Sequence, residues 1–158
     1  MALDIQIGDL FNATAGKRCL VVHGCNAQGV MGSGFAKVVK DLHPEAFLAY
    51  KQVHRRRGLK LGQVVVWENP YEGRSIANAI TQEFYGREPY RQYVSYDAVV
   101  LGMQNVCKFV DQHMPGTTIH LPLIGGGLGG GERKRLIAIF EAVFHAHDAT
   151  LWIKEDEQ

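Results

Sequence analysis

The sequence predicts an α/β layered domain in which a sheet is sandwiched between helices, and three observations predict it. Short apolar runs of strand length alternate with segments of ten residues or more whose apolar positions recur at helical spacing. Two of these runs, Cys19-Leu-Val-Val22 and Thr118-Ile-His-Leu-Pro-Leu-Ile124, break into glycine-rich stretches and then into helical patterns. The composition, 46% apolar and 21% charged, is that of an ordinary globular protein. A chain of 158 residues buries roughly two-thirds of its unfolded surface without disulfide staples, so residues 1–158 are expected to form one domain.

Leu3, Ile5 and Ile7 alternate with Asp4 and Gln6, the period of a half-buried strand that ends at Gly8-Asp9. Asn12 to Lys17 reads as a polar turn. After the strand at Cys19–Val22, the stretch from His23 to Gly34 reads as the first glycine-rich turn, and Phe35, Val38, Val39 and Leu42 fall on one face of the helix that follows. Pro44 is placed to open a further helix through Phe47, Tyr50 and Val53, which Gly58 closes. Gln63–Trp67 and Arg74–Ile80 read as a strand pair joined by a turn around Asn69-Pro-Tyr-Glu-Gly73. Thr81 to Tyr93 is polar and aromatic without a period, and a loop of that length is more often functional than accidental. Ser95 is a candidate N-cap for a long helix carrying Val99, Met103, Val106 and Val110 on one face. The strand at Thr118–Ile124 leads into Gly125-Gly-Gly-Leu-Gly-Gly-Gly131, and from Glu132 a helix turns Leu136, Ile137, Phe140, Val143 and Phe144 inward. Ala149–Ile153 reads as the last strand and Lys154–Gln158 as a frayed tail.

A formal net charge of +1 supplies no electrostatic footprint for nucleic acid, and the basic run His54-Arg-Arg-Arg57 reads as a solvated helix end. No run approaches the roughly 18 apolar residues of a membrane span, and the N-terminus has neither a charged n-region nor an h-region. A cytoplasmic protein with no membrane partner is expected. Three cysteines without CxxC spacing indicate neither a disulfide framework nor a zinc ribbon, and they are expected to be reduced. His145-Ala-His147-Asp148 reads as a solvated helix end, so no metal and no cofactor are expected.

A strand that breaks into a glycine-rich turn and starts a helix aims backbone N–H groups and a helix N-terminus at one spot, which is how proteins hold phosphate. In open α/β sheets the ligand lies off the carboxyl ends of the strands, where both turns are. Two cradles predict a ligand with two phosphates. Gly125-x-Gly127-x-x-Gly130 fits the dinucleotide pattern, with Glu155 at the spacing of a ribose-binding acid, but the further βαβ units of a Rossmann fold do not follow. No Walker A sequence is present. Cys25 would be a nucleophile in a C-x5-R phosphate loop, yet Met31 stands where the arginine belongs, so Cys25 is expected to be a small packed residue. His23 and Asn26 lie where strand meets turn: asparagine can bind a sugar hydroxyl as donor and acceptor, and histidine can move a proton near neutral pH. The alternative for His23 is a histidine satisfied at a strand end. Asp9 can accept from an amino group such as adenine's, or cap a helix. Asn78, near the end of its strand, and Tyr85, a stacking face for a base, are expected to approach the same cleft.

Gly8-Asp9-Leu10-Phe11, then Val22-His-Gly-Cys-Asn-Ala-Gln-Gly-Val-Met-Gly-Ser-Gly-Phe-Ala36, then Leu121-Pro-Leu-Ile-Gly-Gly-Gly-Leu-Gly-Gly130, in this order and spacing, resemble a macrodomain over nearly the whole chain. The branch it resembles includes the yeast-type ADP-ribose 1″-phosphate phosphatase, the TARG-type ADP-ribosyl-glutamate hydrolase and small phage-encoded relatives. The resemblance implies a three-layer α/β/α fold with a mixed, mainly parallel sheet and a cleft for ADP-ribose. It implies that Asp9, with Leu10 beside it, meets the adenine. Gly24, Met31, Gly32, Ser33 and Gly34 on one turn, and Ile124, Gly125, Gly126, Gly127, Leu128, Gly129 and Gly130 on the other, would line the diphosphate. Asn26 would meet the distal ribose, and His23 would join it in hydrolysing ADP-ribose 1″-phosphate to ADP-ribose and phosphate. The alternatives are a reader of ADP-ribose without turnover and a hydrolase that removes ADP-ribose from protein or nucleic acid. The TARG-type hydrolase carries a lysine where Gln82 stands and an aspartate where Gly129 stands, so its covalent lysine chemistry is not expected here. Many macrodomains place an aromatic residue at the position of Gly129, and its absence is expected to open the cleft there.

Overall fold

The computed structural model describes residues 3–157; Met1, Ala2 and Gln158, which enter the expectations for the N-terminus and the tail, lie outside the described residues. The apolar runs become six strands, β1 (Leu3–Ile7), β2 (Leu20–Asn26), β3 (Val64–Trp67), β4 (Ser75–Gln82), β5 (Ile119–Pro122) and β6 (Ala149–Ile153). The helices are α1 (Leu10–Ala13), α2 (Gly34–Leu42), α3 (Pro44–Arg57), α4 (Tyr96–His113) and α5 (Arg133–Val143), and a 3-10 turn, Glu155–Glu157, follows β6. The strands form one mixed sheet in the order β1-β6-β5-β2-β4-β3, parallel throughout except for the β3–β4 pair. No helix among the described residues is long and apolar enough to cross a membrane.

Strict alternation along the strands divides the core into two layers around the sheet. Leu20 and Val22 of β2, Ala77 and Ala79 of β4, Leu121 of β5 and Leu151 of β6 face one way, against Val99, Met103 and Val106 of α4 and Leu136 and Phe140 of α5. Cys19 and Val21 face the other way with Leu10 of α1, Val39 of α2 and Ala46 of α3, while Cys25 and Ile80 pack with Tyr50 of α3. Each fully buried Leu or Phe of these layers contributes about 1.5–3 kcal/mol. The helix ends follow local chemistry. The Ser95 hydroxyl accepts from Ala98 N–H at the start of α4, Pro44 occupies the first turn of α3, and Gly58, at φ 76°, ends α3.

The differences from the sequence expectation have physical causes. β2 runs on past Val22 to Asn26 and β4 past Ile80 to Gln82, because the parallel ladder continues through His23↔Asn78, Gly24↔Ala79 and Cys25↔Ile80 after the apolar run has ended. His23 to Asn26 is therefore strand, not turn. The helix α1 lies where a turn was expected; four residues are too short to show a period, and its start is fixed by Asp9, whose Oδ1 accepts from the N–H groups of Phe11 (2.9 Å) and Asn12 (3.4 Å). On α2 only Val39 is fully buried, with Phe35 packed beside it, while Val38 and Leu42 are 39% and 50% exposed.

Candidate functional site

β2 and β5 are neighbours in the sheet, yet the chain leaves them in opposite directions, from β5 to β6 on one side and from β2 toward β4 on the other. A crevice opens at such a switch point. It holds a cavity of about 520 Å³, with Gly24, Cys25, Asn26, Thr81 and Gln82 at its floor. Val30 to Ala36 form one wall, Pro122 to Gly125 with Gly127 to Gly129 the facing wall, Tyr85, Gly86 and Arg87 a third, and Lys154 one rim.

The walls supply backbone donors. Ser33 is the N-cap of α2 in extended conformation, but its hydroxyl makes no capping hydrogen bond. The first-turn N–H groups of α2, on Gly34, Phe35 and Ala36, thus have no side-chain cap, and these three residues line the cleft at the positive end of the helix dipole. In the second turn the N–H groups of Gly126, Gly130 and Gly131 are spent on Leu123, Gly127 and Gly125 carbonyls. Among the described residues, those of Gly125, Gly127, Leu128 and Gly129 have no backbone acceptor. The turn is clasped by the end of the preceding loop: the N–H groups of Tyr93 (2.7 Å) and Val94 (3.0 Å) both donate to the Gly129 carbonyl. A Cβ on Gly129 would stand 2.8 Å from Gly125 Cα, and one on Gly130, which has φ 71°, would collide with the Arg91 carbonyl. Among the described residues the charged side chains lining the cleft are Arg87 and Lys154, both cations. Among the described residues no carboxylate and no imidazole lines it. Such a lining concentrates anions.

Beneath the floor lies a polar cluster closed to solvent. Asn78 donates through Nδ2 to the carbonyls of Ala46 (3.2 Å) and Val65 (3.1 Å), which leaves its Oδ1 to accept from His23 Nε2–H at 2.6 Å. Cys25 Sγ lies 3.6 Å from that same Nε2 and 3.9 Å from Nδ1. Burial lowers the His23 pKa to about 4, the hydrogen bond to Asn78 opposing only part of the shift, and burial pushes the Cys25 thiol far up. An imidazole that resists the proton and a thiol that resists losing it do not make an activated nucleophile. The other polar floor residue, Asn26, ties down the loop after β2. Its Oδ1 accepts from the N–H groups of Gln28 (3.0 Å) and Val30 (3.4 Å) and from the Tyr50 hydroxyl (2.9 Å), and its Nδ2 donates to the Val30 carbonyl (2.8 Å). The Tyr50 hydroxyl also reaches the Asn26 carbonyl at 2.7 Å.

No protein-family model matches the chain. Among solved structures, the macrodomain of Mycobacterium tuberculosis DarG superposes with TM-score 0.81 at 23% identity, covering 95% of this chain and 96% of that one. Thermosipho africanus DarTG in complex with ADP-ribose superposes with TM-score 0.81 at 14% identity, over 98% of this chain and 43% of that one. The chain has the macrodomain fold. Among curated proteins, the ADP-ribose 1″-phosphate phosphatase of Neosartorya fischeri is 48% identical over 44 residues, which is 28% of this chain and 21% of that protein. The phosphatase of the same name from Candida albicans is 32% identical over 79 residues, 49% of this chain and 51% of that protein. An uncharacterized 17.5 kDa protein of Enterobacteria phage T4 is 29% identical over 117 residues, 70% of each. The chain thus spans about a fifth and about half the length of the two named phosphatases it matches.

On this macrodomain scaffold, Gly24, Asn26, Met31, Gly32, Ser33, Gly34, Tyr85, Ile124, Gly125, Gly127, Leu128 and Gly129 all line the one cleft. Others do not. His23 and Asn78 are 0% exposed and do not line the cleft: paired in register on β2 and β4, they lie deeper along the strands, with the His23 ring beside Phe35 of α2 and Asn78 bonded to the Ala46 carbonyl of α3. The expectation that His23 acts on a bound phosphate is corrected by this geometry, as is a ligand contact for Asn78. Leu10 is a core residue, 3% exposed against Cys19 and Val21. Gly126 and Gly130 serve the turn's own closure. Asp9 lies outside the cavity lining but near its rim: Gly8 N–H bonds the Ile153 carbonyl, which sets the end of β1 beside Lys154. At Gly129 the missing side chain does not open space, since Gly125 occupies it. Sequence reading passed over Thr81, Arg87 and Lys154. Their only signal was position, at a strand's carboxyl end or in the loop after one. The pair His145 and His147 is engaged elsewhere, with the Ala142 carbonyl and Asp111.

Proposed function

We propose that this cleft binds ADP-ribose. What carries the reading is the facing of two glycine-rich strand exits at the sheet's switch point, with unspent N–H groups on both walls and, among the described residues, Arg87 and Lys154 as the charged side chains of the lining. The diphosphate sits between the start of α2 and the Gly125–Gly129 turn, where the donors converge. The adenine lies toward the rim, where the Asp9 carboxylate, with one oxygen engaged in capping α1, accepts from its amino group. The distal ribose lies toward the loop held by Asn26 and the wall of Tyr85 and Arg87. Arg87 meets any phosphate on the 1″ oxygen.

A second reading, hydrolysis of ADP-ribose 1″-phosphate, is favoured by the name borne by the matched fungal relatives. Here it would proceed by electrostatic stabilisation from N–H groups and Arg87, since the described residues of the lining offer no imidazole or carboxylate to carry a proton. Titration calorimetry with ADP-ribose and ADP-ribose 1″-phosphate tests the first reading, and phosphate release from the latter tests the second. Binding of both ligands is expected, with Arg87→Ala weakening the 1″-phosphate about tenfold and ADP-ribose by less than threefold. Absence of ADP-ribose binding refutes the reading. Turnover that survives His23→Gln and falls with Arg87→Ala supports hydrolysis by the route described.

A further inference from the structure

The floor of the cleft carries an irregularity that neither the fold nor the glycine turns require. Along the β2–β4 ladder Cys25 pairs with Ile80, but the next residue, Asn26, pairs with Gln82. Thr81 is the extra residue of a β-bulge. Bulges are rare between parallel strands, and next to binding sites they serve to re-aim a side chain. The Thr81 carbonyl is held by Ser95 N–H at 2.8 Å, so the bulged backbone is anchored. Its side chain is not: Thr81 is 1% exposed, lines the cleft, and its Oγ1 has no hydrogen-bond partner. A buried hydroxyl left unpaired costs on the order of 1–3 kcal/mol, so such an atom calls for a partner.

The space around it is shaped for the hydroxyl. Gly24, on the neighbouring strand β2 where it pairs with Ala79, has no side chain, and a Cβ there would lie 2.7 Å from Thr81 Oγ1 and 2.7 Å from Ile124 Cγ2. Gly24 leads into the first glycine-rich wall and Ile124 into the second, so the hydroxyl lies beside residues that begin both walls. The N–H groups of Gly125, Gly127, Leu128 and Gly129 on the second wall have no backbone acceptor among the described residues, and a hydroxyl can join them by donating its proton.

We propose that Thr81 is a ligand-binding residue whose Oγ1–H donates to an oxygen of the nucleotide held between the two walls. This rests on the reading of the cleft as a site for ADP-ribose. The oxygen belongs either to the diphosphate or to the distal ribose, and the probes ADP and ADP-ribose separate the two sources. Thr81→Val keeps the volume and branching and removes the hydroxyl; Thr81→Ser keeps the hydroxyl. The free Thr81→Val protein is expected to be as stable as wild type or more so, since an unpaired buried group is lost. Its affinity for ADP-ribose is expected to fall about tenfold, with Thr81→Ser within about threefold of wild type. An equal loss for ADP assigns the contact to the diphosphate, and a loss confined to ADP-ribose assigns it to the ribose. Unchanged affinity in Thr81→Val with wild type binding normally overturns the role of Thr81 alone. A marked drop in stability of free Thr81→Val overturns it as well, since the hydroxyl would then have a partner within the protein. Failure of wild type to bind ADP-ribose overturns both this role and the reading on which it rests.

Discussion

Lowering the pH tests the buried cluster of His23, Asn78 and Cys25 directly. His23 has an ordinary value of 6.5 and, in the fold, one lowered to about 4 by burial. Because the folded value lies below the unfolded one, the unfolded chain takes up the proton first as the pH falls. The contribution of this group is therefore whole above about pH 6.5, is lost between about 6.5 and about 4, and levels off below that. The loss is about 2 kcal/mol at pH 5 and about 3 kcal/mol once both states are protonated. Other carboxylates and histidines titrate in the same window, so the measurement is a difference. Urea unfolding of wild type and of His23→Gln, whose amide can still donate to Asn78 and does not titrate, is followed from about pH 7.5 to about pH 4.5. Wild type should lose about 2 kcal/mol more than the variant by pH 5. In parallel, an NMR titration of the wild-type ring should show it neutral through pH 6 and protonated on Nε2 throughout. Identical pH dependence in the two proteins, or a ring that titrates near 6.5, refutes the assignment of His23 as a neutral structural group and returns it to the list of proton carriers.

Removing the hydroxyl in Tyr50→Phe leaves the Asn26 carbonyl and Oδ1 without their buried donor, and should cost about 1–3 kcal/mol by urea unfolding while weakening ADP-ribose binding through the loosened loop after β2. Unchanged stability would show that Asn26 is held by its backbone partners alone. Gly130→Ala places a side chain at positive φ against the Arg91 carbonyl, so thermal unfolding should report a loss of about 2 kcal/mol or more, with ADP-ribose affinity falling alongside. Gly127→Ala, three residues earlier with open space around its Cβ, is the matched control and should change stability by less than about 0.5 kcal/mol. Equal effects from the two substitutions would contradict the clasp between this turn and residues 91–94.

Two glycine-rich exits were legible in the sequence because each interrupts a long apolar run, and a glycine cluster between strand and helix has few other uses. Tyr85 was legible too, as an aromatic residue in a loop too long to be a mere connection. The role of His23 was not. Its place at the edge of an apolar run suggested a turn, while the side on which its ring emerges depended on how far β2 stays paired with β4. A strand that ends one residue earlier or later hands the next side chain to the opposite face. Thr81 was hidden for the same reason, since a bulge is a property of two strands in register and leaves no trace in either strand's composition.

The sequence by itself determined the layered α/β plan, the hairpin, the ends of α3, the start of α4, and the two glycine-rich turns, because each rests on local chemistry: hydrophobic period, caps, proline and glycine. Only the tertiary structure decided which of the polar residues near those turns line the cleft. His23 and Asn78 were spent on each other and on the backbone, and Asn26, though it lines the cleft, on Tyr50 and the loop after β2, while Thr81, Arg87 and Lys154 were brought to the same lining. Hydrogen bonds between residues far apart in sequence and the parity of paired strands settle that division, and neither is a property of any single segment.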